Sequence, residues 1–202
     1  ATEVGGPEQA LNQLCLWVNE ERFRVDVHLL EGLCSVQESS TRLSEIADIC
    51  IFEITEMARL DMRRRYGQLP VEQFAVIGLG RLGSKQLTSV SDLDLMFVYD
   101  SPSDTRSDGQ QALEAGRYYN RLSQLIISWL SVQTTKGRLF DVDTRLRPDG
   151  RSGALAIHID RLSAYFTSEA WPWEYCAFLK ARTVYASNTF VTKLQQTLLN
   201  IK

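Results

Sequence analysis

The absences in this sequence narrow it first. No apolar run approaches the roughly 20 residues that a membrane-spanning helix needs. No basic start leads into an apolar stretch, so no secretory leader is expected. The chain does begin at Ala1 rather than Met, which reads as a piece cut from a longer protein. Histidine occurs only at His28 and His158, and the cysteines Cys15, Cys34, Cys50 and Cys176 form no close pair. Zinc sites use short, regular ligand spacings, so none is expected. The thiols read as buried or inert and reduced, in a cytoplasmic protein. A net charge of −3 gives no electrostatic reason to propose a nucleic-acid partner. Internal repeats and low-complexity tracts are missing too.

What is present suits a soluble globular chain: 44% hydrophobic and 23% charged residues over 202 positions, enough for one large or two small domains. Residues 8–31 read as a helix. A second helix starts near Ser40 and carries Leu43, Ile46, Ala47, Cys50, Ile54, Met57 and Ala58 at a 3.6-residue period. It ends in Arg63-Arg64-Arg65 before Tyr66-Gly67, and the basic run is read as a helix C-terminus rather than a phosphate patch. Then the period changes. Residues 74–77 and 93–99 read as buried strands, 101–110 as a loop, 111–132 as a helix. Residues 139–146 alternate, with Phe140, Val142, Thr144 and Leu146 on one side and Asp141, Asp143, Arg145 and Arg147 on the other. Residues 154–157 suggest one more strand, and 160–202 read as helical. The expected fold is α+β: a helical segment over 1–70, a small mixed sheet with helices over 71–160, and a helical segment over 161–202.

The chemistry concentrates between two strands. Gly78, Gly80 and Gly83 follow the first, and Asp92 and Asp94 open the second. Alternate residues of a strand share a face, so the two carboxylates point the same way beside backbone that can approach a phosphate closely. Held together they repel unless a cation relieves them. Mg²⁺ would do so and bridge to substrate phosphates. A third carboxylate is expected, and Asp143 is the candidate if its strand pairs beside 93–99. The bland alternative is a solvated strand start, with Asp143 paired to Arg145 or Arg147. Those arginines either fork onto triphosphate oxygens or orient Asp143 or Asp141 as ion pairs, and the sequence leaves both open. Trp171 and Trp173 read by default as core packing, with support of the cluster by Glu174 as the alternative. The glycines, with Asp100 about 20 residues on, also mimic a dinucleotide fingerprint. Too few residues separate the strands for a parallel crossover, which argues against a dehydrogenase.

Gly80-Arg81, ten residues and Asp92-Leu93-Asp94 together resemble the signature of DNA polymerase β-like nucleotidyltransferases. More narrowly, the chain resembles the glutamine synthetase adenylyltransferase family. Four stretches carry the likeness: Phe74 through Gly83; Ser91-Asp92-Leu93-Asp94-Leu95; Val142-Asp143-Thr144-Arg145-Leu146-Arg147-Pro148; and Ala170-Trp171-Pro172-Trp173-Glu174 with Ala181-Arg182. The resemblance implies a polymerase β-like fold and one of two catalytic units, closer to the unit that attaches AMP from ATP to a tyrosine of glutamine synthetase. The other unit removes AMP by phosphorolysis. It further implies Asp92, Asp94 and Asp143 as catalytic Mg²⁺ ligands, and nucleotide binding by Gly80, Arg81, Gly83, Ser84, Ser91, Arg145 and Arg147. Glutamine synthetase would be the partner, with a PII-type signal protein acting through other parts. Arg81 stands where the wider superfamily usually has Gly or Ser, Ser84 where many members have glycine, and Gln86 where many have Glu. A non-catalytic nucleotide sensor is the reading from another class, and it would not need all three aspartates.

Overall fold

The computed structural model describes residues 6–201. Helix α1 (Pro7–Leu30) opens with proline in its first turn, where the missing N–H costs nothing. It buries Leu11, Cys15, Val18 and Val25 against α2 (Val36–Tyr66). α2 begins four residues earlier than its apolar stripe suggests. The Ser35 hydroxyl accepts from the Glu38 N–H at 3.2 Å, and the Glu38 carboxylate accepts from the Ser35 N–H at 2.7 Å. This reciprocal cap fixes the start. At the other end Gly67 adopts φ +80°, and a Cβ there would lie 2.1 Å from the Gly109 backbone nitrogen, so the glycine stop holds as expected. Arg63 Nε binds Glu72 at 2.7 Å and Arg65 Nε binds Asp61 at 2.8 Å, so two members of the basic run are spent on carboxylates of the fold.

Strand β1 (Phe74–Gly78) runs antiparallel to β2 (Leu93–Tyr99), from Phe74↔Tyr99 to Gly78↔Leu95. The one-turn helix α3 (Gly80–Gly83) lies between them. This antiparallel pairing removes the crossover that a dinucleotide fold requires; Asp100 instead binds Lys193 at 2.5 Å. After α4 (Ala115–Ser131), the far edge of β2 is covered by two short parallel strands. β3 (Val142–Asp143) lies beside its start and β4 (Ala156–His158) beside its end. β5 (Arg182–Ala186) pairs antiparallel with the other side of β1. Helices α1, α2 and α4 pack on Val76, Leu93, Leu95 and Phe97. Helices α5 (Ile159–Ser168), α6 (Pro172–Phe178) and α7 (Val191–Ile201) pack on Ala75, Ile77, Met96 and Val98. The result is a small mixed sheet between two helical layers.

Several expectations are corrected. The strand read over 139–146 is two residues long. Leu139 and Phe140 are both buried, which breaks the alternation, and the chain leaves the sheet after Asp143. The segment read as helical from 160 onward contains β5, whose Thr183, Val184 and Tyr185 are β-branched or aromatic and suit a strand. α4 starts at Ala115 rather than 111, because Ser107 and Leu113 exchange hydrogen bonds that hold 111–114 in the loop. Trp171 and Trp173 are not core residues; they are 67% and 60% exposed. The cysteines are free, Cys176 is exposed, and burial pushes the Cys50 thiol up to about 12, which keeps it unreactive. Among the described residues no helix is long and apolar enough to cross a membrane.

Candidate active site

The site is built where β1 turns into β2. The Leu79 N–H donates to the Asp94 carbonyl at 2.9 Å, so the turn is stitched to the strand that carries the aspartates. Gly80 follows at φ +50°, and a Cβ on it would fall 2.2 Å from Asp94 Oδ2. Glycine is required here both for the left-handed backbone and for the space that the carboxylate occupies. A Cβ on Gly83 would fall 2.0 Å from the Lys180 carbonyl, so the turn also rests against the lead-in to β5. The Ser84 hydroxyl donates back to the Gly80 carbonyl at 3.1 Å. Ser91 accepts from the Thr88 N–H at 3.0 Å, and Arg81 Nη1 reaches its hydroxyl at 3.4 Å.

β3 supplies the third carboxylate. Its parallel register sets Leu93 opposite Val142 and Asp94 opposite Asp143. Neighbouring strand positions in register present their side chains on one face, and the two-residue period adds Asp92 to it. Burial, then the charges of Asp92 and Asp143, raise the proton affinity of Asp94, while Arg145 opposes them. Three carboxylates from two strands thus share one field. Even pairing alone would have made this a single-strand feature; the short β3 makes it a cluster.

The two arginines have separate roles. Arg145 forks onto Asp143 through Nε, at 3.0 and 2.7 Å from the two carboxylate oxygens, and through Nη2. Arg147 is buried and makes no such fork. Its guanidinium donates to the carbonyls of Thr144, Gly153 and Ala154 and to the Thr144 hydroxyl, so it ties the 144–154 excursion together. Burial lowers its proton affinity, which Asp143 partly offsets. Asp92, Asp141, Asp143, Thr144, Arg145 and Arg147 line an open cleft of about 350 Å³. As the side chains stand, no three His, Cys, Asp or Glu residues among the described residues form a ready cation cage. The donor chemistry still fits a hard divalent cation: three carboxylates on one face, with Asp94 raised first by burial and then by the other two.

Sequence reasoning passed over two contributors. Arg182 forks onto Asp48 of α2 at 2.9 and 2.8 Å and donates to the Leu82 carbonyl at 3.0 Å, clamping the glycine turn from two sides. Arg182 lies in one of the quoted family stretches, which was the available signal; Asp48 sits on a helix face with none. Asp141 shares the cleft and binds Arg138 at 2.7 Å. Glu174 accepts from the Tyr165 hydroxyl at 2.6 Å and the Trp171 N–H at 2.8 Å, which makes it a cap of α6 rather than a partner of the aspartates in these contacts.

Residues 1–197 match the protein family described as glutamate-ammonia ligase adenylyltransferase. Among curated proteins, the chain is similar to three named bifunctional glutamine synthetase adenylyltransferase/adenylyl-removing enzyme. It is 34% identical to that of Brucella melitensis, over 93% of this chain and 19% of the relative. It is 38% identical to that of Stenotrophomonas maltophilia, over 96% and 21%. It is 34% identical to that of Rhodopseudomonas palustris, over 96% and 20%. The chain therefore spans about a fifth of the length of these relatives.

Proposed function

Because the chain belongs to the glutamate-ammonia ligase adenylyltransferase family, we propose that it forms one nucleotidyltransferase unit, of polymerase β-like fold, that transfers AMP from ATP to a tyrosine of glutamine synthetase. The observation that carries this reading is the register that sets Asp94 beside Asp143, with Asp92 on the same face. Residues 1–70 and 161–202 flank the catalytic part in this unit, the latter also lending β5.

In this reading Asp92, Asp94 and Asp143 hold Mg²⁺. Bound there, the cation screens phosphate charge and favours the ionised tyrosine. The glycine turn from Gly80 to Ser84, with Ser91, takes the phosphates; Gly80 and Gly83 let the turn pack against Asp94 and the Lys180 carbonyl, which sets the turn beside the carboxylates. Arg81 and Arg145, both exposed, supply positive charge to the triphosphate. Arg147 shapes the excursion that carries Arg145. The bond that forms joins the tyrosine oxygen to the α-phosphorus; the bond that breaks releases pyrophosphate. A Mg²⁺-free sensor would have no use for this convergence.

The test is AMP incorporation into glutamine synthetase from labelled ATP. The Asp92→Asn, Asp94→Asn double variant abolishes it while circular dichroism stays unchanged. Retained transfer by a folded double variant rejects the mechanism. The relatives' shared name includes adenylyl removal, which keeps a second reading: phosphate attacks AMP-tyrosine at the same carboxylates. ADP released from adenylylated glutamine synthetase and phosphate, without incorporation in the forward assay, would assign the unit to removal.

A further inference from the structure

One guanidinium at the site serves a carboxylate that the proposed chemistry needs for a cation. Arg145 binds Asp143 through Nε and Nη2, and its own backbone N–H donates to Asp143 Oδ1 at 2.8 Å. The two side chains are differently placed. Asp143 is 14% exposed, whereas Arg145 is 64% exposed and reaches back over it from the rim. The other arginine lining the cleft, Arg147, also feels the Asp143 charge, but its guanidinium hydrogen bonds run to the 144–154 excursion. Arg138, close by, is committed to Asp141. A guanidinium and a divalent cation at contact distance from one carboxylate repel each other, so they compete for it.

We propose that Arg145 is a built-in counter-cation that latches Asp143, and that it exchanges places with the divalent cation. While no cation is bound, Arg145 neutralises the cluster and fixes the Asp143 carboxylate. When a cation takes Asp143, Arg145 is released and its planar fork turns to the nucleotide phosphates. The two roles open to this arginine are then successive states of one side chain. Arg145 is a positioning residue in the first state and a phosphate ligand in the second. This inference rests on the nucleotidyltransferase reading above.

Mn²⁺ titration of the whole chain without nucleotide, followed by electron paramagnetic resonance of the free ion, tests it. Arg145→Gln binds Mn²⁺ about fivefold tighter than the unaltered chain, the scale expected for losing one exposed ion pair. Arg145→Lys, which keeps the charge and loses the fork, falls between them. Arg138→Gln, which removes the same charge from the adjacent exposed pair, changes the affinity less than about twofold. In the presence of Mn²⁺, a nonhydrolysable ATP analogue binds Arg145→Gln several-fold more weakly. A merely structural arginine would not shift the two affinities in opposite directions. Equal Mn²⁺ affinity with and without the Arg145 side chain overturns the latch, and so does an equal gain in Arg138→Gln. If Asp143→Asn loses Mn²⁺ in either case, the cation reading survives that result. If no form shows Mn²⁺ binding that Asp92→Asn weakens, the metal reading fails and the latch falls with it.

Discussion

At Gly80 the backbone and a carboxylate compete for one volume. A methyl group there would sit 2.2 Å from Asp94 Oδ2 on a backbone at φ +50°. Gly80→Ala therefore displaces Asp94 or the turn, at a stability cost of about 1–2 kcal/mol for the left-handed backbone. AMP transfer should fall by about a hundredfold or more, as a misplacement near 1 Å can cost on this scale. Near-normal transfer by the variant would show that Asp94 need not lie against the turn. Glu72 is governed by charge instead. Burial pushes its carboxyl up, but the hydrogen bonds and charges of Arg63 and Arg59 outweigh this and hold it below the usual range. A carboxyl depressed in the fold stabilises it above its unfolded pKa of about 4.3, and that stabilisation is lost as pH falls through the folded value. Glu72→Gln should cost about 2–3 kcal/mol at pH 7. The gap from the unaltered chain should narrow in urea unfolding below about pH 4. A gap independent of pH would mean that Glu72 acts through packing. Both glycine and carboxylate were visible in the sequence as residue types. Only the glycine's neighbour Asp94 was inferable, because the two flank one short turn; the Glu72 partners on α2 follow from tertiary packing.

The elements differ in how clearly their residues announce them. β1 and β2 are apolar runs bounded by polar turns, and the structure keeps both within a residue of the reading. The start of α2 was written in Ser35-x-x-Glu38, a local signal that an apolar stripe alone does not register. Ser35→Ala should lower the melting temperature by about 2–4 °C and deprotect the first turn of α2 to hydrogen exchange. Unchanged exchange there would deny the cap its role. β3 and β5 were less legible for a different reason. β3 is held by register against β2, not by its own length; the adjacent buried Leu139 and Phe140 break the alternation before it, and past Asp143 the guanidinium of Arg147 ties the excursion together. That arginine stood in the alternating run as one more polar residue; nothing local distinguishes a guanidinium that binds carbonyls from one that binds phosphate. Arg147→Ala leaves the carbonyls of Thr144, Gly153 and Ala154 without it. It should cost about 2–3 kcal/mol by chemical denaturation, whereas Arg145→Gln should change stability by less than about 1 kcal/mol. Equal losses would mean that both arginines are scaffold.

On the scale of the whole molecule, the site depends on parts of the chain far apart in sequence. β2 places Asp92 and Asp94, β3 places Asp143, and the glycine turn between β1 and β2 is gripped from outside. Asp94, Met96 and Val98 share one face of β2, with Asp92 just before the strand, so the carboxylates continue the face on which α5–α7 pack. The identity of the cluster was legible because two of its members lie one residue apart and the third sits in a distinctive stretch. The grip was not, since it joins Asp48 on α2 to Arg182 on β5 across 134 positions and only folding brings them together. That clamp makes a firm expectation. Asp48→Asn and Arg182→Met should each raise the KM for ATP, by loosening α3 through the Leu82 carbonyl, and lower stability by about 1–3 kcal/mol. Because both act through one contact, the double variant should be little worse than the more damaging single, with a coupling of about 1 kcal/mol or more. Additive effects on KM and stability would separate the two residues, and the long helices before the sheet would then support the core without positioning its phosphate turn.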